Sequence, residues 1–216
     1  MTTNELIQKH WNYYLMLEQK LLETRNYVEF RTENYNTSSN EFGLLIISIG
    51  AELDNFLKTY CKIPEEDRNK HQINMGTYCG YLSSNYPQIA NERITVLDTD
   101  SAIILTPFAL LNGPDQFPWW DAYNHVKHNR YENFAEAKLI NALTILSALY
   151  LLEMKMFKNI YDASPDKEHT IDCPLNQSKL FALKEWNFNC GSCGNLFYTT
   201  IHKTTVHTAE TALRYE

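Results

Sequence analysis

Apolar residues recur along this chain at helical spacing over four long stretches. The first carries Leu6, Tyr13, Leu17, Leu21 and Val28 on one face, and Thr2-x-x-Glu5 has the form of a capping box ahead of it. The spacing predicts a helix from Asn4 to about Arg31. A polar turn over Asn34–Asn40 follows, and Ser38-x-x-Glu41 offers a second capping box. Phe42, Leu45, Ile46, Ile49, Leu53, Phe56, Leu57 and Tyr60 then share a face, so a second helix is expected over Ser39–Tyr60. Pro64 with Glu65, Glu66 and Asp67 reads as a short helical turn, because proline and acids both suit a helix N-terminus. Pro118-Trp119-Trp120 opens a third long helix to Arg130. Asn133-x-x-Glu136 signals a fourth, Phe134–Ile160. Its Leu139–Leu152 stretch is apolar on almost every side and is expected at the centre of a bundle.

Between these helices the period changes. Arg93–Leu97 and Ala102–Leu105 are short β-branched runs around the polar turn Asp98–Ser101, which predicts a hairpin. Ser164-Pro165-Asp166 breaks the last helix, and weaker strand signals lie at Trp186–Phe188 and Leu196–Ile201. The fold expected is mainly α: a bundle of about four principal helices with a small β-hairpin insertion, over residues 1–160. A short β-containing C-terminal appendage occupies residues 161–216.

Composition narrows the function classes. A net charge of -7 argues against broad, non-specific nucleic-acid binding, which depends on Lys and Arg displacing counterions, yet leaves room for a local basic site. There is no DNA-binding signature. Leu139–Leu152 is shorter than the roughly 18–20 apolar residues that span a bilayer, so no membrane association is expected. The first residues lack a basic region followed by an apolar one, and the 5 cysteines are an odd number. A cytoplasmic, reduced protein is the expectation.

The densest polar cluster is Trp119–Tyr131. At about 100° per residue, Trp119, Tyr123 and Val126 face the core, and Asn124, Lys127 and His128 form an adjacent stripe. Arg130 falls on the far side and joins them only from the helix end or across a dimer. Lysine can neutralise a phosphate, histidine can move protons near neutral pH, and asparagine can orient by hydrogen bonding. Asn124, Lys127, His128 and Arg130 are therefore the candidate catalytic residues, suited to phosphodiester chemistry. The competing reading is a half-exposed helix whose polar groups satisfy nearby backbone. Glu52 lies at the edge of an apolar face, where a carboxylate calls for a partner, with Arg130 or Lys127 as candidates; the alternative is an ordinary residue at the edge of an amphipathic helix. Asp54 and Lys58 have the spacing of a solvent ion pair.

The appendage offers a metal candidate. Cys190-Gly191-Ser192-Cys193 has the form of one zinc knuckle, which Cys173 and His169 could complete. Free thiols in a small β appendage are the alternative, and zinc is the cofactor in question. Cys61 and Cys79 read as ordinary interior residues.

Three segments resemble the HEPN superfamily of helical proteins. They are Tyr27-Val28-Glu29-Phe30 with Asn34 and Ser39; Ala51-Glu52-Leu53-Asp54 with Lys58; and Trp119-Trp120 with Tyr123-Asn124-x-x-Lys127-His128-x-Arg130. The resemblance spans roughly Asn4–Phe157. It implies a helical bundle that often forms a homodimer and acts on or binds RNA, in many members as a metal-independent ribonuclease of toxin, phage-defence or RNA-processing systems. The alternative is a non-catalytic helical module that binds a protein or nucleotide partner. The superfamily's usual motif is an arginine followed, four to six intervening residues later, by a histidine. Here His125 precedes Arg130, and the next histidine is His169. What carries over is that Asn124, Lys127, His128 and Arg130 occupy the polar segment before the last long helix.

Overall fold

The structure is a computed structural model. It describes the chain apart from residues 69–72, 100–102, 114–116, 164–173, 175, 184–186, 194–195 and 203–216, and gives backbone alone for 161, 187–193 and 196–202. The fold is mainly α, with a small antiparallel sheet, as the residue pattern predicts.

The N-terminal helix begins at the expected capping box: the Thr2 hydroxyl accepts from the Glu5 amide at 3.2 Å, and the Thr2 amide donates to the Glu5 carboxylate at 2.8 Å. It runs as α1 (Thr3–Leu6), a π turn (Ile7–Trp11) and α2 (Asn12–Glu23). A π turn holds one residue more than an α turn, which rotates everything beyond it about the axis. Tyr14 consequently enters the core, while Tyr13, assigned to the apolar stripe by plain helical spacing, is exposed. The helix also stops short of Arg31. The Thr24 hydroxyl donates to the Leu21 carbonyl at 2.6 Å, and the amides of Tyr27 and Val28 both reach back to the Thr24 carbonyl. That pattern tightens the last turn into a 3₁₀ turn at Thr24–Asn26.

Helix α3 (Asn40–Tyr60) is capped by Ser39, whose hydroxyl accepts from Phe42 N at 3.0 Å. Ser38, the expected cap, instead forms a β-bridge with Lys138. Pro64 leads into a 3₁₀ turn at Glu65–Asp67. The residue pattern gave no helix for α4 (Met75–Asn85), which Asn74 caps through the Thr77 amide at 3.3 Å. The predicted hairpin is present as β1 (Ile94–Val96) and β2 (Ile103–Leu105), with Ile94 opposite Leu105 and Val96 opposite Ile103.

Helix α5 (Pro118–Asn129) has proline in its first turn, and Trp119 Nε1 donates to the Pro107 carbonyl at 2.8 Å. Phe134–Glu136 form a 3₁₀ turn rather than the start of the last helix, which is α6 (Leu139–Ala163). Its first amides are satisfied from outside: Leu139 N donates to Thr37 O at 3.1 Å and Ile140 N to Tyr35 O at 3.2 Å. The expected central stretch holds, since nearly every residue from Leu139 to Leu152 is buried. The apolar run extends further than Leu152: Leu139–Ile160 is 22 residues, long and apolar enough to cross a membrane, yet 78% of its apolar window is covered inside the bundle. Burial, and not shortness, makes it a core helix.

Residues 176–183 pack onto the bundle. Strand β3 (Phe181–Leu183) pairs antiparallel with β1, giving the sheet order β2-β1-β3. Glu18, 2% exposed, holds this segment: its carboxylate accepts from the Tyr14 hydroxyl at 2.5 Å, Lys179 N at 2.9 Å, Leu180 N at 3.4 Å and the Ser178 hydroxyl. Trp11 Nε1 adds a bond to the Asn176 carbonyl at 2.8 Å. Beyond it, β4 (Asn187–Cys193) and β5 (Leu196–His202) form an antiparallel hairpin.

Candidate functional site

Two glycines on α3 set where α5 lies. Tyr123 sits directly on Gly50, so close that a Cβ there would meet Tyr123 Cδ2 at 2.2 Å. One turn or two nearer the N-terminus, Gly43 faces Val126, Ala137 and the stem of Arg130. With Trp119, Tyr123 and Val126 buried, the opposite side of α5 is turned outward. Asn124 is half-buried, and His125, Lys127, His128, Asn129 and Arg130 are exposed.

Asn124, Lys127 and His128 thus share a stripe one turn long on an accessible helix face. Lys127 Nζ donates to the Tyr123 hydroxyl at 3.2 Å and lies 5.0 Å from the centre of its ring. Such a contact is worth about 0.5–1 kcal/mol at an exposed site, too little to keep the ammonium from a phosphate. Among the described residues His128 has no hydrogen bond or ion pair, so neither ring nitrogen is committed. Arg130 turns the other way: its Nη1 donates to Asn40 Oδ1 at 2.8 Å, at the first turn of α3. Within one chain the four candidates therefore form a three-residue stripe and a separate arginine. Tyr131, 93% exposed, follows immediately, and Phe134 is also exposed. Asp121, one turn before His125, has its carboxyl raised by burial, with His125 opposing the shift and Glu136 adding to it.

Glu52 does not meet Lys127 or Arg130. It accepts from or shares a proton with His10 Nδ1 at 2.8 Å. His10 lies in the π turn and packs edge-on against Phe56, its ring centre 4.9 Å away. Beside this pair, on α6, stands Glu153. It is completely buried, neither carboxylate oxygen has a hydrogen-bond partner among the described residues, and burial, then the nearby Glu52, raise its pKa well above the usual carboxylate value. Burial and the neighbouring Glu52 both disfavour the ionised form of this carboxyl. Residue pattern alone could have flagged Glu153 as the acid that interrupts Leu151-Leu152-Glu153-Met154. Nothing in the pattern signals the π turn that carries His10 to Glu52.

Asp54 and Lys58 do pair, at 2.7 Å, and the Tyr78 hydroxyl donates to Asp54 at 2.8 Å, so the pair is half-buried under α4. Cys61 is buried, its thiol pushed up to about 12 by burial, and is a packing residue. Cys79 is half-buried, its thiol likewise raised by burial. Cys190 and Cys193 lie on β4, but their side chains, with His169 and Cys173, fall outside the described residues. Among the described residues no group of three or more His, Cys, Asp or Glu is placed to hold a metal.

Comparison with protein-family models, with characterised proteins and with solved structures found no match to this chain.

Proposed function

We propose that this chain is a HEPN-like helical bundle that binds single-stranded RNA, or another phosphate-bearing ligand, on the outward face of α5. The observation that carries the reading is the exposed, uncommitted His128 beside Lys127, followed directly by the exposed ring of Tyr131. A cation that tracks a phosphate and an aromatic ring on which a base can stack are the two elements that single-strand binding uses. Lys127 meets a phosphate oxygen and Asn124 hydrogen-bonds to the sugar–phosphate backbone, while Arg130, held by Asn40 away from that stripe, reaches a further phosphate only from the helix end or from a second copy of the chain. The acidic total charge restricts binding to this face and keeps it weak and salt-sensitive.

His128 gives a second reading, cleavage of the bound strand. An exposed imidazole whose ring nitrogens are uncommitted can take the proton of a ribose 2′-OH. The 2′ oxygen then attacks phosphorus, the bond to the 5′ oxygen breaks, and that oxygen leaves with a proton from solvent. The products are a 2′,3′-cyclic phosphate and a 5′-hydroxyl. Lys127 stabilises the negative charge that develops on the non-bridging phosphoryl oxygens. The test is incubation of purified protein with a labelled single-stranded RNA. Cyclic-phosphate ends that disappear in His128→Ala support cleavage; an intact RNA that is nevertheless bound restricts the function to binding.

A further inference from the structure

A cleft of about 570 Å³ opens between the end of α2 with its 3₁₀ turn and the first turn of α3. Small-molecule sites typically measure about 300–1,000 Å³, so a nucleoside fits. Its lining includes the ring of Tyr27, which is 90% exposed, the apolar Phe42, and the polar side chains of Lys20, Glu23, Asn26 and Glu41. Two carboxylates against one ammonium disfavour a phosphate inside the cleft. They favour a neutral, planar group whose edge carries N–H donors and whose face can lie on Tyr27.

The cleft lies at the same end of α3 as Arg130. Ser39 and Glu41 line it, and Asn40 between them is the residue that accepts from Arg130 at 2.8 Å. A strand with a phosphate at Arg130 brings its neighbouring base to the first turn of α3.

We propose that this cleft is a nucleobase subsite that selects guanine, with Tyr27 as the stacking wall and Glu41 as the reader of the base edge. Guanine alone among the four RNA bases presents two adjacent N–H donors, at N1 and the 2-amino group, that a carboxylate can accept side by side. Adenine and cytosine set an acceptor next to their amino group, and uracil flanks its single N–H with carbonyls. Hydrogen bonds to a charged acceptor are the strong ones, and a site built on them rejects the bases that leave it unpaired. The strand's path into the cleft rests on the α5 reading above; the base preference does not.

The four ribonucleoside 5′-monophosphates, titrated calorimetrically into the full chain, test the proposal. Guanosine monophosphate is expected to bind at least tenfold tighter than the other three. Glu41→Gln, at an exposed position, should erase that preference, and Tyr27→Ala should weaken all four alike. Equal binding of the four nucleotides, or a guanosine preference that survives Glu41→Gln, overturns it. So does a cleft that takes spermidine and no guanosine monophosphate, which would make the occupant a cation. A guanosine preference that stands while Lys127→Ala leaves RNA affinity unchanged sinks the α5 reading and keeps the subsite. RNA binding lost in Lys127→Ala but blind to base identity does the reverse.

Discussion

Glu153→Leu should stabilise this protein, and the gain should grow with pH. The carboxyl is fully buried, and among the described residues both its oxygens lack partners. A buried polar group left unbonded costs about 1–3 kcal/mol even when neutral, and an apolar residue of similar size removes that cost. For a chain of this length each 1 kcal/mol moves the melting temperature by about 2–4 °C, so a rise of about 2–12 °C is expected near pH 4.5. The folded-state pKa of Glu153 is raised, first by burial and then by Glu52. A raised carboxyl pKa means that the folded state keeps a proton the unfolded state releases. Stability is therefore unaffected at pH values below the unfolded pKa and falls as pH climbs from there toward the folded pKa. The slope in that window is about 1.4 kcal/mol per pH unit for one proton. Thermal melts of wild type, Glu153→Leu and Glu153→Gln from pH 4 to pH 8 measure it. The leucine variant should gain on wild type throughout the window, and the glutamine variant should lose the slope while keeping an unbonded polar group. A leucine variant that melts lower than wild type at pH 7 would show that the carboxyl has a stabilising partner, and would refute the reasoning.

Other outcomes follow from the packing. Gly50→Ala places a Cβ at 2.2 Å from Tyr123 Cδ2, and overpacking of this kind typically costs about 1–3 kcal/mol, more than the helix-propensity gain of about 1 kcal/mol. Gly43→Ala is the control: its nearest neighbour, Ala137 Cβ, lies at 3.4 Å, so urea denaturation should find it neutral or more stable by up to about 1 kcal/mol. Glu18→Ala leaves the Lys179 and Leu180 amides without this acceptor and the Tyr14 and Ser178 hydroxyls, 3.0 Å apart, with each other alone, a loss of at least about 2 kcal/mol. Hydrogen exchange should then speed up at Lys179 and Leu180 before it does in α3 or α6; unchanged protection there would rule out the clamp.

Much of the helical framework is legible in the residue pattern because apolar spacing and capping residues are local signals. Leu139–Leu152 has no polar face, so burial was its one solution, and Pro118 and the Thr2–Glu5 box mark their helix starts directly. What escaped has no signature in the local residue pattern. The π turn at Ile7–Trp11 has no residue signature, and it moves Tyr13 out and Tyr14 in. Helix α4 buries only Met75, Tyr78 and Leu82, too few apolar positions to announce a helical period. Strand β3 is three residues long and exists as a strand because β1 and Glu18 receive it. The same divide runs through the site. Helical geometry put Asn124, Lys127 and His128 on one stripe and Arg130 apart from them, and the structure has that arrangement. The partners of Arg130 and Glu52 come from other helices, Asn40 and His10, and no spacing within α5 or α3 could name them.

The central claim is that the outward face of α5 binds RNA, and fluorescence anisotropy with a labelled single-stranded RNA across a salt series tests it most directly. The account predicts binding that weakens with salt, and a Lys127→Ala variant that binds more weakly with a log–log salt slope shallower by about 0.7, the loss of one phosphate contact. Tyr131→Ala should weaken binding without changing that slope, because stacking releases no counterions. Wild-type protein that binds no RNA at low salt, or that binds it identically after Lys127→Ala and His128→Ala, would contradict the account.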